Sequence, residues 1–219
     1  MPYVSIYVSK LALCVCLVAV PLSAADDLLT RALDGLQNRY NHAKTLQVSF
    51  NETYNVSGRP HQNESGTLTL RKPGRMRWDY AMPAGKLFLS DGKDVYLYTP
   101  AANRVEKMKL KESEDWRAPL AFLLGKLDFA REFRDLAIKP EGSNYVITAK
   151  AKSDKLPYDA VRITFTPDYA ITHLVVTGQD QSVLSFDFAN ERLNVTVNDS
   201  IFKFLMPPGA TMVNQEPGQ

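Results

Sequence analysis

The chain has 219 residues, 45% of them apolar and 23% charged, with 26 Lys plus Arg against 24 Asp plus Glu for a formal charge of +2. That balance excludes a wholly disordered chain, and the interleaving of opposite charges excludes the clustered basic stripe that neutralising nucleic-acid phosphates requires. A near-neutral globular chain with enough apolar residues to fold alone remains.

Lys10 precedes an apolar run from Leu11 to Val20, followed by Pro21 and by Ser23-Ala24-Ala25 ahead of the acidic pair Asp26-Asp27. The run is too short to span a bilayer as a helix, and its small residues suit signal peptidase. Residues 1–25 therefore read as a cleaved export signal and 26–219 as a single domain. Cys14 and Cys16 both fall in the signal, so the remainder has no disulfide, thiolate nucleophile or cysteine zinc site. Leu13 and Val15 stand where a lipoprotein signal would carry a small residue before its cysteine, which argues against a lipid anchor.

From Asp26, the apolar residues Leu28, Leu29, Ala32, Leu33, Leu36 and Tyr40 follow helical spacing, with the Asp pair expected at the N-terminal end of the dipole. The period then changes to two. Leu46, Val48 and Phe50 alternate with polar residues, Gly58 to Gln62 interrupts, and Leu68 and Leu70 resume, which predicts two long strands. After Pro73-Gly74, Met76, Trp78 and Tyr80 alternate with Arg75, Arg77 and Asp79 up to Pro83. Leu87 to Leu89 and Val95 to Tyr98 read as a hairpin about Asp91-Gly92, a pair that suits a type I′ turn. Val105, Lys107 and Lys109 continue an antiparallel meander.

The segment from Ser113 to Leu136 breaks the pattern. Pro119 is placed to open a helix carrying Leu120, Phe122, Leu123, Leu124 and Leu127, and a second helical piece is expected over Phe129, Phe133 and Leu136. Strands are then predicted over Tyr145 to Ala151, Tyr158 to Thr166, Ile171 to Thr177, Val183 to Ala189, Leu193 to Val197 and Ile201 to Leu205, with a peripheral tail from Pro207. The fold class is mainly β (α+β), one antiparallel sheet curling towards a barrel.

Catalytic signatures are absent from the sequence. His42, His61 and His173 lie far apart, and there is no nucleophile elbow, Walker A loop or dinucleotide fingerprint. Asp79, Asp91 and Asp94 read as turn and edge carboxylates. The surplus of large apolar groups in the first sheet and the insertion has two readings: a solid core, or a concave apolar surface incompletely covered by helices.

Arg71-Lys72-Pro73-Gly74, Met76-Arg77-Trp78-Asp79-Tyr80 with Pro83, Ser90-Asp91-Gly92-Lys93 and Tyr96-Leu97-Tyr98-Thr99-Pro100 resemble the periplasmic outer-membrane lipoprotein carrier protein family (LolA). Phe202-Lys203-Phe204 with Pro207-Pro208-Gly209 is similar to that family's closing pattern. The resemblance implies an incomplete antiparallel β-barrel with a helical lid over an apolar cavity, no enzyme activity and no cofactor. It also implies a monomeric, soluble periplasmic chaperone of protein transport and outer membrane biogenesis. Such a carrier takes the acyl chains of lipoproteins from an inner-membrane ATP-driven transporter and passes them to an outer-membrane receptor lipoprotein.

Val48, Phe50, Leu68, Leu70, Trp78, Phe88, Tyr96 and Tyr98 are then expected to line the cavity, and Leu33, Leu36, Phe122, Leu123, Leu127 and Phe129 the underside of the lid. The family's basic residue before the strand-turn proline, which tethers the lid through backbone carbonyls, falls at Lys72, with Arg71 beside it. Met76 takes the position of a transporter contact at the cavity mouth. Alternatives of the same fold are a carrier of another lipid or glycolipid and an envelope-stress lipid or lipoprotein sensor module.

Overall fold

The computed structural model describes residues 22–56, 59–60, 63–110, 127–153, 156 and 158–214. Helix α1 spans Leu22–His42 and buries Ala32, Leu36 and Tyr40, with Leu29 and Leu33 packing partly against the core. It begins upstream of the expected start, so Asp26 and Asp27 lie in its second turn and its first turn carries no acidic residue. There Asp27 pairs with Arg31 one turn on, and Arg39 and His42 occupy the last turn, where cations complement the dipole.

The strands are β1 Thr45–Val56, β2 Arg59–Pro60, β3 Glu64–Arg71, β4 Arg75–Met82, β5 Leu87–Asp91, β6 Asp94–Thr99 and β7 Arg104–Lys109. After the short helix α2, Phe129–Glu132, come β8 Phe133–Glu141, β9 Asn144–Ala151, β10 Tyr158–Phe165, β11 Ile171–Gly178, β12 Val183–Leu193 and β13 Thr211–Asn214. They form one sheet in the order β13-β7-β6-β5-β4-β3-β1-β12-β11-β10-β9-β8, with β2 on β1. Among the described residues every pairing is antiparallel except β13 with β7. The terminal strands of this order, β13 and β8, are not partners, so the sheet stays open.

Its curvature can be read from two rings. Trp78 on β4 and Phe186 on β12 are three strand spacings apart, about 14 Å in a flat sheet, yet their ring centroids lie 5.4 Å apart. The sheet therefore wraps round one core, to which α1, both strand blocks, Leu127 and Phe129 contribute. The expected mainly β, incomplete barrel with a helix over its apolar face is the architecture found.

Four sequence expectations are corrected. The second helical piece stops at Glu132, and Phe133 opens a strand instead, because β9 supplies a ladder partner that the local pattern does not reveal; Phe133 opposes Ala151 and Ile138 opposes Ile147. Leu193 to Val197 is not a strand: β12 ends at Leu193, and Asn194 turns the chain with φ 56°. In place of a strand over Ile201 to Leu205, a 3₁₀ turn runs over Asp199–Phe202, capped by Asn198, whose Oδ1 accepts the Ser200 N–H, and no strand follows it through Leu205. In the β5–β6 loop, Gly92 has positive φ and Lys93 does not, which is the pattern of a type II′ turn with glycine first, not type I′.

Candidate functional site

The concave face is built in rows. Val48, Leu68, Trp78, Phe88 and Leu97 oppose one another in register across β1, β3, β4, β5 and β6. The next row is Leu46, Leu70, Met76, Ser90, Val95 and Met108. Gly66 stands between Phe50 and Tyr80 in register, and a Cβ there would sit 2.1 Å from the Asp79 carbonyl oxygen. With no side chain between them, Phe50 meets Tyr80 edge-on at 5.2 Å and Trp78 at 4.7 Å.

These rings are closed on one another: Phe50 is 2% exposed, and Trp78, Phe88 and Phe186 are 0%. The face is thus packed, as the solid-core reading has it, in the conformation seen. Phe186 belongs to it although β12 lies in the second strand block. The sequence signal was the alternation Leu184, Phe186, Phe188.

Of the expected cavity residues, Val48, Phe50, Leu68, Leu70, Trp78 and Phe88 share this core. Tyr96 and Tyr98 do not, because alternation in β6 turns Val95 and Leu97 inward. Tyr96 stacks on Phe204 on the outer face at 4.5 Å, and Tyr98 donates to Asn103. Met76 is also corrected: it is 0% exposed and its sulfur accepts the Trp78 indole N–H, so it is enclosed in this conformation and not at an open mouth. Leu36, Leu127 and Phe129 are buried, and Leu33 is half-buried against the core. Phe122 and Leu123 lie outside the described residues.

Polar bonds attach α1 to both halves of the sheet. Lys72 Nζ donates to the Tyr40 carbonyl at 2.7 Å, and the Lys72 N–H donates to the Lys44 carbonyl. Burial pushes the Lys72 ammonium below its ordinary range. Arg71 faces away, donating to the Val197 carbonyl and pairing with Asp199. On the other half, Arg39 and the Tyr40 hydroxyl both donate to Glu191 at 2.6 Å, while Tyr40 accepts the Ile171 N–H. Burial first, then the Glu191 charge, raise the Tyr40 phenol far above its usual value.

Asn41 holds the chain entering α2. Its Oδ1 accepts the Leu127 N–H and its Nδ2 donates to the Leu127 carbonyl. None of Tyr40, Asn41 or Glu191 carried a sequence signal beyond helical spacing or an acidic residue in a strand.

On the convex face, His173 Nδ1 lies 2.7 Å from Asp187 and its Nε2 lies 3.4 Å from Ser185 Oγ, the contact order of a hydrolytic triad. β12 is paired along both edges here, with Thr53 and Val175 opposite Ser185. The strand N–H groups that would form an oxyanion hole are committed to the ladder, so the cluster joins strands without a place for a reacting carbonyl. A separate open groove of about 630 Å³ beside α1 is lined by Arg31, Asp34, Asn38, Arg39, Asp168 and Tyr169 among others. Its charged lining does not suit hydrocarbon. No helix among the described residues is long and apolar enough to cross a membrane.

Residues 41–205 match the family model described as outer membrane lipoprotein carrier protein LolA. The outer-membrane lipoprotein carrier protein of Nitrosomonas europaea is 26% identical over 204 residues, 93% of this chain and 96% of that one. Its counterpart from Pseudomonas paraeruginosa is 28% identical over 197 residues, 89% of this chain and 92% of that one. Among solved structures, a LolA superfamily protein from Nitrosomonas europaea aligns over 80% of this chain and 97% of its own, at 10% identity and a TM-score of 0.45.

Proposed function

The chain belongs to the outer membrane lipoprotein carrier protein LolA family, and on that premise we propose that it is a periplasmic chaperone that binds the acyl chains of lipoproteins and delivers them to the outer membrane. The observation that carries this reading is the continuous apolar face of Val48, Phe50, Leu68, Trp78, Phe88 and Phe186, covered by a helix attached through a few polar bonds. Each methylene kept from water is worth about 0.8 kcal/mol, so a long acyl chain costs on the order of 10 kcal/mol to expose. A face of this kind offers equivalent burial, provided its rings separate or α1 lifts.

In this reading Lys72 is the latch. It holds the C-terminal turn of α1 against the end of β3 through a single donor, which a rising helix breaks without disturbing the sheet. Leu33, Leu36, Leu127 and Phe129 form the underside of the lid. Residues 1–25 direct export and are removed. The chain has no nucleotide motif, so loading draws on an ATP-driven inner-membrane transporter, and release goes to an outer-membrane receptor with a better apolar site.

The test is to incubate the purified protein lacking residues 1–25 with inner-membrane spheroplasts. Lipoproteins appearing in the soluble fraction bound to it support the reading. Their retention in the membrane, with the protein nevertheless binding free lipid, would assign it to another lipid cargo.

A further inference from the structure

Four large apolar side chains are exposed among the described residues: Leu205 at 81%, Met82 at 57%, Met206 at 44% and Met212 at 40%. They stand on three connections that meet at one end of the sheet. The β4–β5 loop folds back where the Lys86 N–H donates to the Pro83 carbonyl, and a Cβ on Gly85 would lie 3.5 Å from Pro100 Cγ in the β6–β7 turn. Asn103 of that turn accepts the Thr211 N–H at the start of β13 through its carbonyl, and its side-chain nitrogen lies beside Gly209. Leu205 and Met206 directly precede Pro207, whose carbonyl accepts the Ala210 N–H, and Met212 opposes Val105 just after the β6–β7 turn. Lys72 is at the other end of the sheet, where a Cβ on Gly74 of the β3–β4 turn would lie 3.2 Å from Gly92 of the β5–β6 turn.

Residues 81–85, 99–103 and 205–212 contain no charged side chain. At their margins Lys86 pairs with Glu64 and Arg104 with Glu106, so the rim itself is apolar. Single apolar side chains on a surface are ordinary, whereas a charge-free cluster of them marks a contact. Its exposed area is on the order of 400 Å², about half of what each partner brings to a stable protein interface, and none of the three segments holds the Trp, Tyr or Arg that anchors one. Flexible Leu and Met side chains on loop tips suit the hydrocarbon margin of a bilayer, which asks for no complementary shape.

We propose that this rim is a membrane-contact surface, with Met82, Leu205, Met206 and Met212 dipping into the outer margin of a bilayer and holding the protein there reversibly. The purpose of the contact, though not the contact itself, rests on the acyl-carrier reading: a carrier set on the bilayer passes its cargo without exposing the acyl chains to water. Because the rim and Lys72 are at opposite ends of the sheet, the contact leaves α1 free to move. Its attraction is hydrophobic and therefore persists in salt that screens surface charges.

The experiment uses the protein purified after export, with residues 1–25 removed, and vesicles of phosphatidylethanolamine and phosphatidylglycerol, without cargo. The parent is expected to float with the vesicles at low and high salt alike. Leu205→Asp is expected to weaken that association about tenfold, the effect of withdrawing one apolar side chain, and adding Met82→Asp to abolish it. Both cysteines lie in the removed segment, so Leu205→Cys and Lys93→Cys each accept a single environment-sensitive fluorophore. Vesicles should shift the emission of the label at 205 to the blue and leave that at 93, in the exposed β5–β6 turn, unchanged. Absence of the parent from the vesicle fraction, equal responses of the two labels, or an association that high salt removes and Leu205→Asp leaves intact overturns the membrane contact. Self-association of the parent that Leu205→Asp abolishes, with no flotation, also overturns it and assigns the rim to a second copy of the chain. The acyl-carrier reading fails separately, by lipoproteins remaining in the spheroplasts.

Discussion

Lys72 Nζ reaches the Tyr40 carbonyl at 2.7 Å, joining the end of β3 to the last turn of α1 through one donor. A half-buried charged hydrogen bond of this kind is worth about 1 kcal/mol. Lys72→Leu is expected to speed amide exchange in the last turn of α1 and to slow release of loaded cargo, whereas Lys72→Arg, with a planar fork, should preserve the attachment. Exchange unchanged in Lys72→Leu would remove the latch.

Tyr40 ties the same turn to Glu191 and to the Ile171 N–H. Its phenol is raised in the folded chain, so the stability it contributes is intact below the unfolded tyrosine value of about 10 and is lost as pH rises above it. Denaturant midpoints should fall above about pH 10 in the parent, and Tyr40→Phe should be less stable at neutral pH but show a shallower alkaline decline.

Asp94 lies between Lys107 at 3.2 Å and Lys109 at 2.7 Å, and hydrogen bonding, led by Lys109, holds its carboxyl below the usual range against the opposing effect of burial. Its contribution is present above the unfolded value of about 4 and is lost as pH falls through the folded one. Asp94→Asn should therefore lower stability at neutral pH and flatten the acid limb of the stability curve.

A Cβ on Gly35 would lie 2.3 Å from the Tyr169 ring, so α1 approaches the 166–170 turn only because that position lacks a side chain. Gly35→Ala gains about 1 kcal/mol in helix propensity but forces overpacking that costs roughly 1–3 kcal/mol. A net loss in denaturant unfolding is expected, turning into a gain when Tyr169→Ala is added.

Phe88 and Tyr96 sit on neighbouring strands but on opposite faces of the sheet. Phe88→Ala should cost about 3–5 kcal/mol, with loss of acyl-probe affinity. Tyr96→Ala should free Phe204 from its stack and leave probe affinity unchanged. Equal effects on binding would contradict the division of faces.

Wherever one strand face is apolar and the other polar, as in Leu46 to Phe50 or Met76 to Tyr80, alternation alone specified both the strand and its inward side. Tyr96 and Tyr98 misled because aromatic residues here occupy both faces of one hairpin. Only the pairing of Phe88 with Leu97 shows which face meets the core. The strand from Phe133 was hidden for a related reason: its regularity lies in its ladder with β9, not in its own residues.

By itself, then, the sequence determined the mainly β class, the amphipathic helix, the likeness to lipoprotein carriers and the Arg71-Lys72 pair before Pro73. Each of these depends on local periodicity or on a contiguous motif. Tertiary structure alone decided that Lys72 and not Arg71 reaches α1, that Phe186 joins Trp78 across the curled sheet, that Met76 is enclosed, and that a carboxylate lies among aromatic rings at Glu52. Those relationships link residues from about 30 to more than 100 positions apart, and they exist only once sheet curvature and strand register bring them together.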